Sequence, residues 1–362
     1  MRTFMVALVP FVLVCLWGLF VFVFDGFVCR YPGHPQVPEI DYLHNAMSAY
    51  KEKTSQYPPS LSDANVRDRK IRFMRHVQVA YSNSNYGTTA TDFDTLRDNL
   101  REAGKLGTNS QPYTYRDANG AVQLLDLNTL DQAEALVFWL GGFPTPCNAN
   151  GIPVAQYRTY GFNLDKDNPL RRDSIAAEST DPMRFRTIAQ MEFKQDRFAD
   201  NDDDGWLEYL PQPYKEGTLA APFVYFDAPT YVASTTPEGK PFDITNLLGY
   251  PRQGDPGAAN LAAAWGLAVP FAEQYDVTGA KPMRWRNPQS FQIIHPGKDG
   301  MYSTGETGDL EQAMRFSVFP SGETYSKVDN FKSVKSYSDE ELDNLNNVSK
   351  ATVDEARRQS GS

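Results

Sequence analysis

Hydrophobic and polar positions divide the chain into one unbroken apolar run, a proline-broken stretch and a long body of short periodic segments. Between Thr3 and Phe24 no residue is charged, and nearly all are apolar. As a helix this run of 22 residues spans about 33 Å, against a hydrocarbon core of about 30 Å. The pattern predicts a transmembrane anchor over 1–25. A cleaved signal peptide has a shorter apolar region and small residues at its cleavage site. Asp25-Gly26-Phe27-Val28 offers no such site. Arg2 precedes the run, while Asp25 and Arg30 offset each other after it. The positive-inside bias then places the amino terminus in the cytoplasm and the body outside it, as a single-pass protein of the inner membrane.

Pro32, Pro35 and Pro38 make residues 26–38 a stiff stalk. A helix is expected from Pro38-Glu39, carrying Ile40, Leu43, Met47 and Tyr50 on one face and stopping before Tyr57-Pro58-Pro59. A second is expected over Thr91–Ala103, with Thr91 and Asp94 as a capping pair and Gly104 as its stop. Asn119-Gly120, flanked by Tyr113-Thr-Tyr and Ala121-Val-Gln-Leu-Leu, predicts a hairpin. Asn128 is the expected cap of a third helix, Leu130–Leu140, closed by Gly141-Gly142. Residues 145–185 read as irregular. Strands are expected at Phe223–Phe226 and Ser290–Ile294, with loop over 233–260 between them. In the polar tail, 335–362, Ser338 caps either a short helix carrying Leu342, Leu345 and Val348 or a disordered segment.

Charged residues at 22% and hydrophobic ones at 41% describe a globular body. A net charge of −10 argues against a nucleic-acid partner, which draws on Lys and Arg. Cys15, Cys29 and Cys147 are too few and too scattered for a disulfide framework. His34, His44, His76 and His295 show no metal-ligand spacing, and no nucleophile elbow or phosphate-binding loop is present. The reading is therefore structural or binding work rather than catalysis.

The sharpest local feature is Asp200-Asn-Asp-Asp-Asp-Gly-Trp-Leu-Glu208. Asp200, Asp202 and Asp204 alternate, Gly205 permits a sharp turn and Glu208 follows. Alternating carboxylates before a glycine are how a short loop supplies oxygen ligands to calcium. The spacing departs from an EF-hand, whose last ligand position would fall on Pro211. A solvated acidic turn is the alternative. A second loop, Gly297-Lys-Asp-Gly300 through Gly305-Glu-Thr-Gly-Asp309, is a turn first, and Asp299 and Asp309 are its candidate calcium ligands.

Three blocks resemble type IV pilin-like proteins, above all the major pseudopilins of type II secretion systems. They are Tyr42–Lys51 with Gln56-Tyr-Pro-Pro-Ser-Leu, then Ala221-Pro-Phe-Val-Tyr-Phe-Asp227, then Phe291-Gln-Ile-Ile-His-Pro-Gly-Lys-Asp-Gly300. Asp329-Asn-Phe331 is similar to the acidic segment near the family's end. The resemblance implies an α+β fold: a transmembrane helix, then an amphipathic helix packed on an antiparallel β-sheet in a pilin-like head over 39–334, with an insertion at about 64–218. It implies calcium held by Asp299, Asp309 and Asp329, and partners among other pilin-like or secretion-system subunits. The prepilin cleavage motif and the early glutamate of the apolar helix are missing. A tethered module binding glycan or peptide, with Trp206, Trp265 and Trp285 as candidate aromatic contacts, is the first alternative. A membrane-anchored hydrolase is the second.

Overall fold

The computed structural model describes residues 37–82, 84–108, 110–144, 159, 161–173, 191–212, 220–232, 247–274, 283–297 and 299–303, with strands at 315–319, 323–326, 333–335 and 345–346. Helix α1, Val37–Thr54, begins with Pro38 in its first turn, where the missing N–H costs nothing. Glu39 sits in its first turn and Lys51 and Lys53 in its last, matching the helix dipole at both ends. Its expected stripe, Ile40, Leu43, Met47 and Tyr50, is buried throughout.

Helix α2, Val66–Ala80, has no counterpart in the expected elements. Seven residues VRDRKIR open it, so its apolar face, Phe73, Met74 and Val77, is confined to the second half. Asn65 caps it by accepting from the Arg67 N–H at 2.9 Å. Helix α3, Ala90–Leu100, packs on α2, with Lys70–Asp94 at 2.6 Å and Phe73 edge-on to Phe93. Its cap is Thr89 with Asp92, two residues earlier than the expected Thr91–Asp94 pair. The strands β1, Thr114–Arg116, and β2, Val122–Leu124, form the expected hairpin.

Helix α4, Gln132–Gly141, is buried on every side, which a helix apolar all round requires. Asp131, not Asn128, is its cap: Oδ1 accepts from Ala133 and Glu134, while Glu134 accepts back from the Asp131 N–H. Gly142 stops it at φ +89°, and any Cβ there would lie 2.2 Å from the Gly161 carbonyl oxygen. Around α4 the aromatic rings of Phe73, Phe138, Phe143, Phe162 and Trp206 meet mostly edge to face. The Trp139 indole N–H donates to the Pro59 carbonyl at 3.0 Å.

Beyond α4 the chain forms a short hairpin, β3 Phe198–Ala199 with β4 Glu208–Tyr209, then β5, Val224–Asp227, the short α5, Ala228–Val232, and α6, Ala258–Trp265. The expected loop over 233–260 missed the start of α6, because the Pro/Gly-rich approach to it hides an alanine-rich helix. Strand β6, Ala272–Gln274, pairs with β7, Met283–Trp285; β8 is Phe291–His295. The strands β9, Arg315–Phe319, β10, Glu323–Ser326, and β11, Ser333–Lys335, follow, then β12, Leu345–Asn346. One sheet runs β11-β10-β9-β6-β7, antiparallel except for the β6–β9 pair. The other runs β12-β8-β5, all antiparallel. Leu345, expected on a short tail helix, thus lies opposite His295 on an edge strand. Helix α1 rests on this second sheet through His44, and Tyr57 follows just after it; they meet Phe291 at ring separations of 5.1 and 4.9 Å.

The expected architecture joined a transmembrane helix to this head, and on that point it is corrected. The described chain is α+β with small, largely antiparallel sheets, and among the described residues no helix is long and apolar enough to cross a membrane. The most apolar helix, α4, has 10 residues, about 15 Å of a core about 30 Å thick. The longest, α1, carries Glu39, Asp41, Lys51, Glu52 and Lys53. The run at 3–24 and nearly all of the stalk lie outside the described residues. Residues 64–218, read as an insertion, supply α2 through β4, and α4 lies directly on β5.

The packing around α4 gives a direct expectation. Phe138→Ala removes a ring touching five aromatic neighbours and lowers the unfolding free energy by about 3–5 kcal/mol. Tyr42→Ala, at a side chain 51% exposed, changes it by less than about 0.5 kcal/mol. Chemical denaturation compares the two.

Candidate metal centre

The acidic loop is the turn of the β3–β4 hairpin. Phe198 pairs with Tyr209 and Ala199 with Glu208, so residues 200–207 must reverse the chain. Asp203, at φ +63°, and Gly205, at φ +92°, make the reversal. Asp200 holds it by accepting from the N–H groups of Asp204 and Gly205, each at 3.0 Å. A Cβ on Gly205 would stand 2.4 Å from the Tyr115 ring, so the β1–β2 hairpin closes over the turn. Asp203 accepts from the Ala118 N–H at 2.8 Å on the same side. Beneath it Trp206 is buried, its indole N–H donating to the Asp126 carbonyl at 2.9 Å.

This anchoring turns Asp202 and Asp204 inward, to the amino-terminal end of α4. There they meet Glu134: one carboxylate oxygen from each of the three lies within 4.8 Å of the others. All three side chains are more than nine-tenths buried, at 7%, 4% and 1% exposure. Each keeps one buried oxygen with no hydrogen-bond donor: Asp202 Oδ1, Asp204 Oδ2 and Glu134 Oε1. The other oxygens of Asp204 and Glu134 are engaged, Asp204 Oδ1 by the Trp206 N–H at 2.9 Å and Glu134 Oε2 by the Asp131 N–H at 2.8 Å.

The electrostatics are severe. Two unit charges 4.8 Å apart repel by about 3.5 kcal/mol at an effective dielectric of about 20. Burial pushes the Asp202 carboxyl up to about 11, with Asp204 and Asp131 adding to the rise. Burial raises Glu134 and Asp204 as well; the Asp204 charge adds to the rise at Glu134, and at Asp204 hydrogen bonding to Thr129 and to the Trp206 N–H works against it. Asp200 rises to about 7 and Asp131 to about 8, again from burial first. The nearby cation is Arg252, but its guanidinium is directed elsewhere. It donates to Asp255 and to the carbonyls of Asn128, Thr129 and Leu130. Among the described residues no donor reaches the three orphaned oxygens.

Such a group has two stable states: protonated, or closed around a cation. Its donors are all carboxylate oxygens, without His or Cys, which suits hard cations such as calcium, magnesium or manganese rather than zinc or copper.

The four residues read from the acidic loop therefore divide. Asp202 and Asp204 enter the group. Asp200 faces its own backbone, and Glu208 is held by the Tyr250 hydroxyl and the Asn201 amide. Asp299 is exposed on the turn after β8, where it accepts from the Met301 N–H at 2.9 Å, outside the group. Asp309 and Asp329 lie outside the described residues. Glu134 was missed. Its signal was the capping spacing Asp131-Gln-Ala-Glu134 before an apolar run, but that spacing says nothing of a loop some 70 residues onward. Trp206, Trp265 and Trp285 are all buried, at 1%, 3% and 1% exposure, and present no face to a glycan.

The raised carboxyls fix the sign of a pH effect. A carboxyl whose value is higher in the fold than in the unfolded chain contributes stability that is complete below about pH 4 and lost as pH rises toward its folded value. In chelator-treated protein the unfolding free energy falls between about pH 5 and pH 8, as Asp200 and Asp131 ionise. The slope is about 1.4 kcal/mol per pH unit for each such group. Glu134→Gln flattens it and is more stable than the parent at pH 8 without cation. Urea melts at both pH values read this; a free energy that rises over the interval contradicts it.

Comparison with family models, with curated proteins and with solved structures returns no match.

Proposed function

We propose that this chain is a non-catalytic structural head, working outside the cytoplasm, whose fold is closed by a buried calcium ion. The observation that carries the reading is the convergence of Glu134, Asp202 and Asp204, each with an oxygen lacking any donor. Three carboxylates bring three negative charges, and a dication with backbone and water oxygens completing its shell is the natural counter-charge. Calcium is preferred to magnesium because it tolerates irregular geometry and six to eight ligands, whereas magnesium holds to a near-ideal octahedron. The cation joins a hairpin turn to a helix start some 70 residues away, so its work is to fix the fold.

The head's role is binding to partner subunits of a pilin-like assembly. That part rests on the resemblance and on one arrangement: α1 lies on the sheet formed by the two strands that carry the resemblance, β5 and β8. Tyr225 on β5 also donates to the Pro58 carbonyl just after α1, at 2.7 Å.

Calcium titration of chelator-treated protein tests the metal. At about a hundredfold excess over Kd the melting temperature rises by roughly 5 °C. The rise disappears in Asp202→Asn/Asp204→Asn and in Glu134→Gln, and persists in Asp299→Asn. No rise in the parent, or a rise that survives in the triad variants, overturns the reading. The assembly part fails separately if the calcium-loaded head stays monomeric when mixed with pilin-like subunits of the same cell.

A further inference from the structure

A cleft of about 260 Å³ lies where the carboxyl-terminal ends of α1, α2 and α4 converge on the 161–166 segment. Tyr50, Tyr81, Trp139 and Phe162 wall it, and Lys53 and Lys166 stand exposed at its mouth. Among the described residues no carboxylate lines it. The walls are fixed by bonds directed into the protein. Tyr50 shares a 2.8 Å hydrogen bond with His76, Trp139 donates to the Pro59 carbonyl, and Asn163 is bonded to Asp173 at 2.8 Å. Tyr81 meets Phe162 edge to face at 5.5 Å. The helix termini are drawn together tightly enough that the Gly161 N–H donates to the Gly141 carbonyl at 2.6 Å. The cleft is therefore preformed.

From these features the geometry points to a binding site for a single aromatic ring that carries a carboxylate. The ring fits because the walls are aromatic and offer few free polar groups, which disfavours a sugar that needs many hydrogen bonds. One ring is the right size, since 260 Å³ falls below the range of about 300–1,000 Å³ usual for larger ligands. The carboxylate fits because both charges at the mouth are positive. Neither Lys53 nor Lys166 has an ion-pair partner among the described residues. The site is separate from the carboxylate group and does not depend on a metal. Two sources supply this chemistry: a free aromatic acid, or an aromatic residue beside an acidic one in a partner's chain.

Isothermal titration of the full chain tests the site with three probes: 3-phenylpropionate, the uncharged 3-phenylpropanol and the dipeptide N-acetyl-Glu-Phe-amide. Saturable one-to-one binding of at least one acidic probe is expected, and 3-phenylpropanol binds more weakly by about tenfold. Lys53→Ala/Lys166→Ala weakens the acidic probe by about the same factor and leaves the alcohol unchanged. Ala80→Phe, which fills the cleft, abolishes both. Binding of phenylpropionate alone supports the site with a free acid as its source. Binding of the dipeptide, alone or more tightly, supports it with a partner's side chain as the source. Failure of both acidic probes overturns the proposal, as does binding that ignores the lysine and Ala80 substitutions.

Discussion

Carboxylates buried together repel one another unless they are protonated or a positive charge sits between them, and the architecture around Glu134, Asp202 and Asp204 turns on that constraint. The backbone does not relieve it. The N–H groups of Asp131 and Trp206 each satisfy one oxygen of Glu134 and of Asp204, and the second oxygens, with Asp202 Oδ1, are left facing each other. Arg252 offsets it only in part, lowering Asp204 and Asp131 through its charge while its guanidinium is committed to Asp255 and to carbonyls at 128–130. Under the proposed reading, the burial of these groups and the anchoring of both elements that carry them serve to hold a cation.

The anchoring is what couples the site to the rest of the fold. Glu134 belongs to the capping box of α4, so one carboxylate of the group also starts the most buried of the described helices. Asp204 belongs to a turn whose Trp206 packs on Phe138 and Phe143 of the aromatic core. The same hairpin reaches α1, because Arg197 beside it is ion-paired with Glu39 and lies over the Tyr209 ring at 4.2 Å. In the proposed calcium-bound form, closing three carboxylates around one ion would brace α1, α4 and the β3–β4 hairpin together.

Much of the local structure was legible because single segments carry their own signals. The stripe Ile40–Leu43–Met47–Tyr50, the Asn119-Gly120 hairpin and the apolar strands around Tyr225 and Ile293 depend on neighbours in sequence. Helix α2 was not legible, because its first half is charged and its apolar face is short. Leu345 was misplaced because two residues on a sheet edge owe their strand to β8 rather than to their own propensity. The caps Thr89 and Asp131 were displaced by two and three residues, since several side chains nearby offer the same oxygen. The site was half legible. Alternating aspartates before Gly205 mark an acidic turn, but which of them point inward depends on the Tyr115 hairpin and on Trp206. Glu134 reaches the site only through the tertiary fold.

The most direct measurement is a crystal structure of the protein grown with manganese in place of calcium, with an anomalous difference map. Manganese prefers the same oxygen donors and scatters anomalously. The account predicts one strong peak at bonding distance, about 2.0–2.5 Å, from Asp202 Oδ1, Asp204 Oδ2 and Glu134 Oε1. A peak at Asp299 with none among these three oxygens, or an ordered triad with a water in the cation's place, contradicts it.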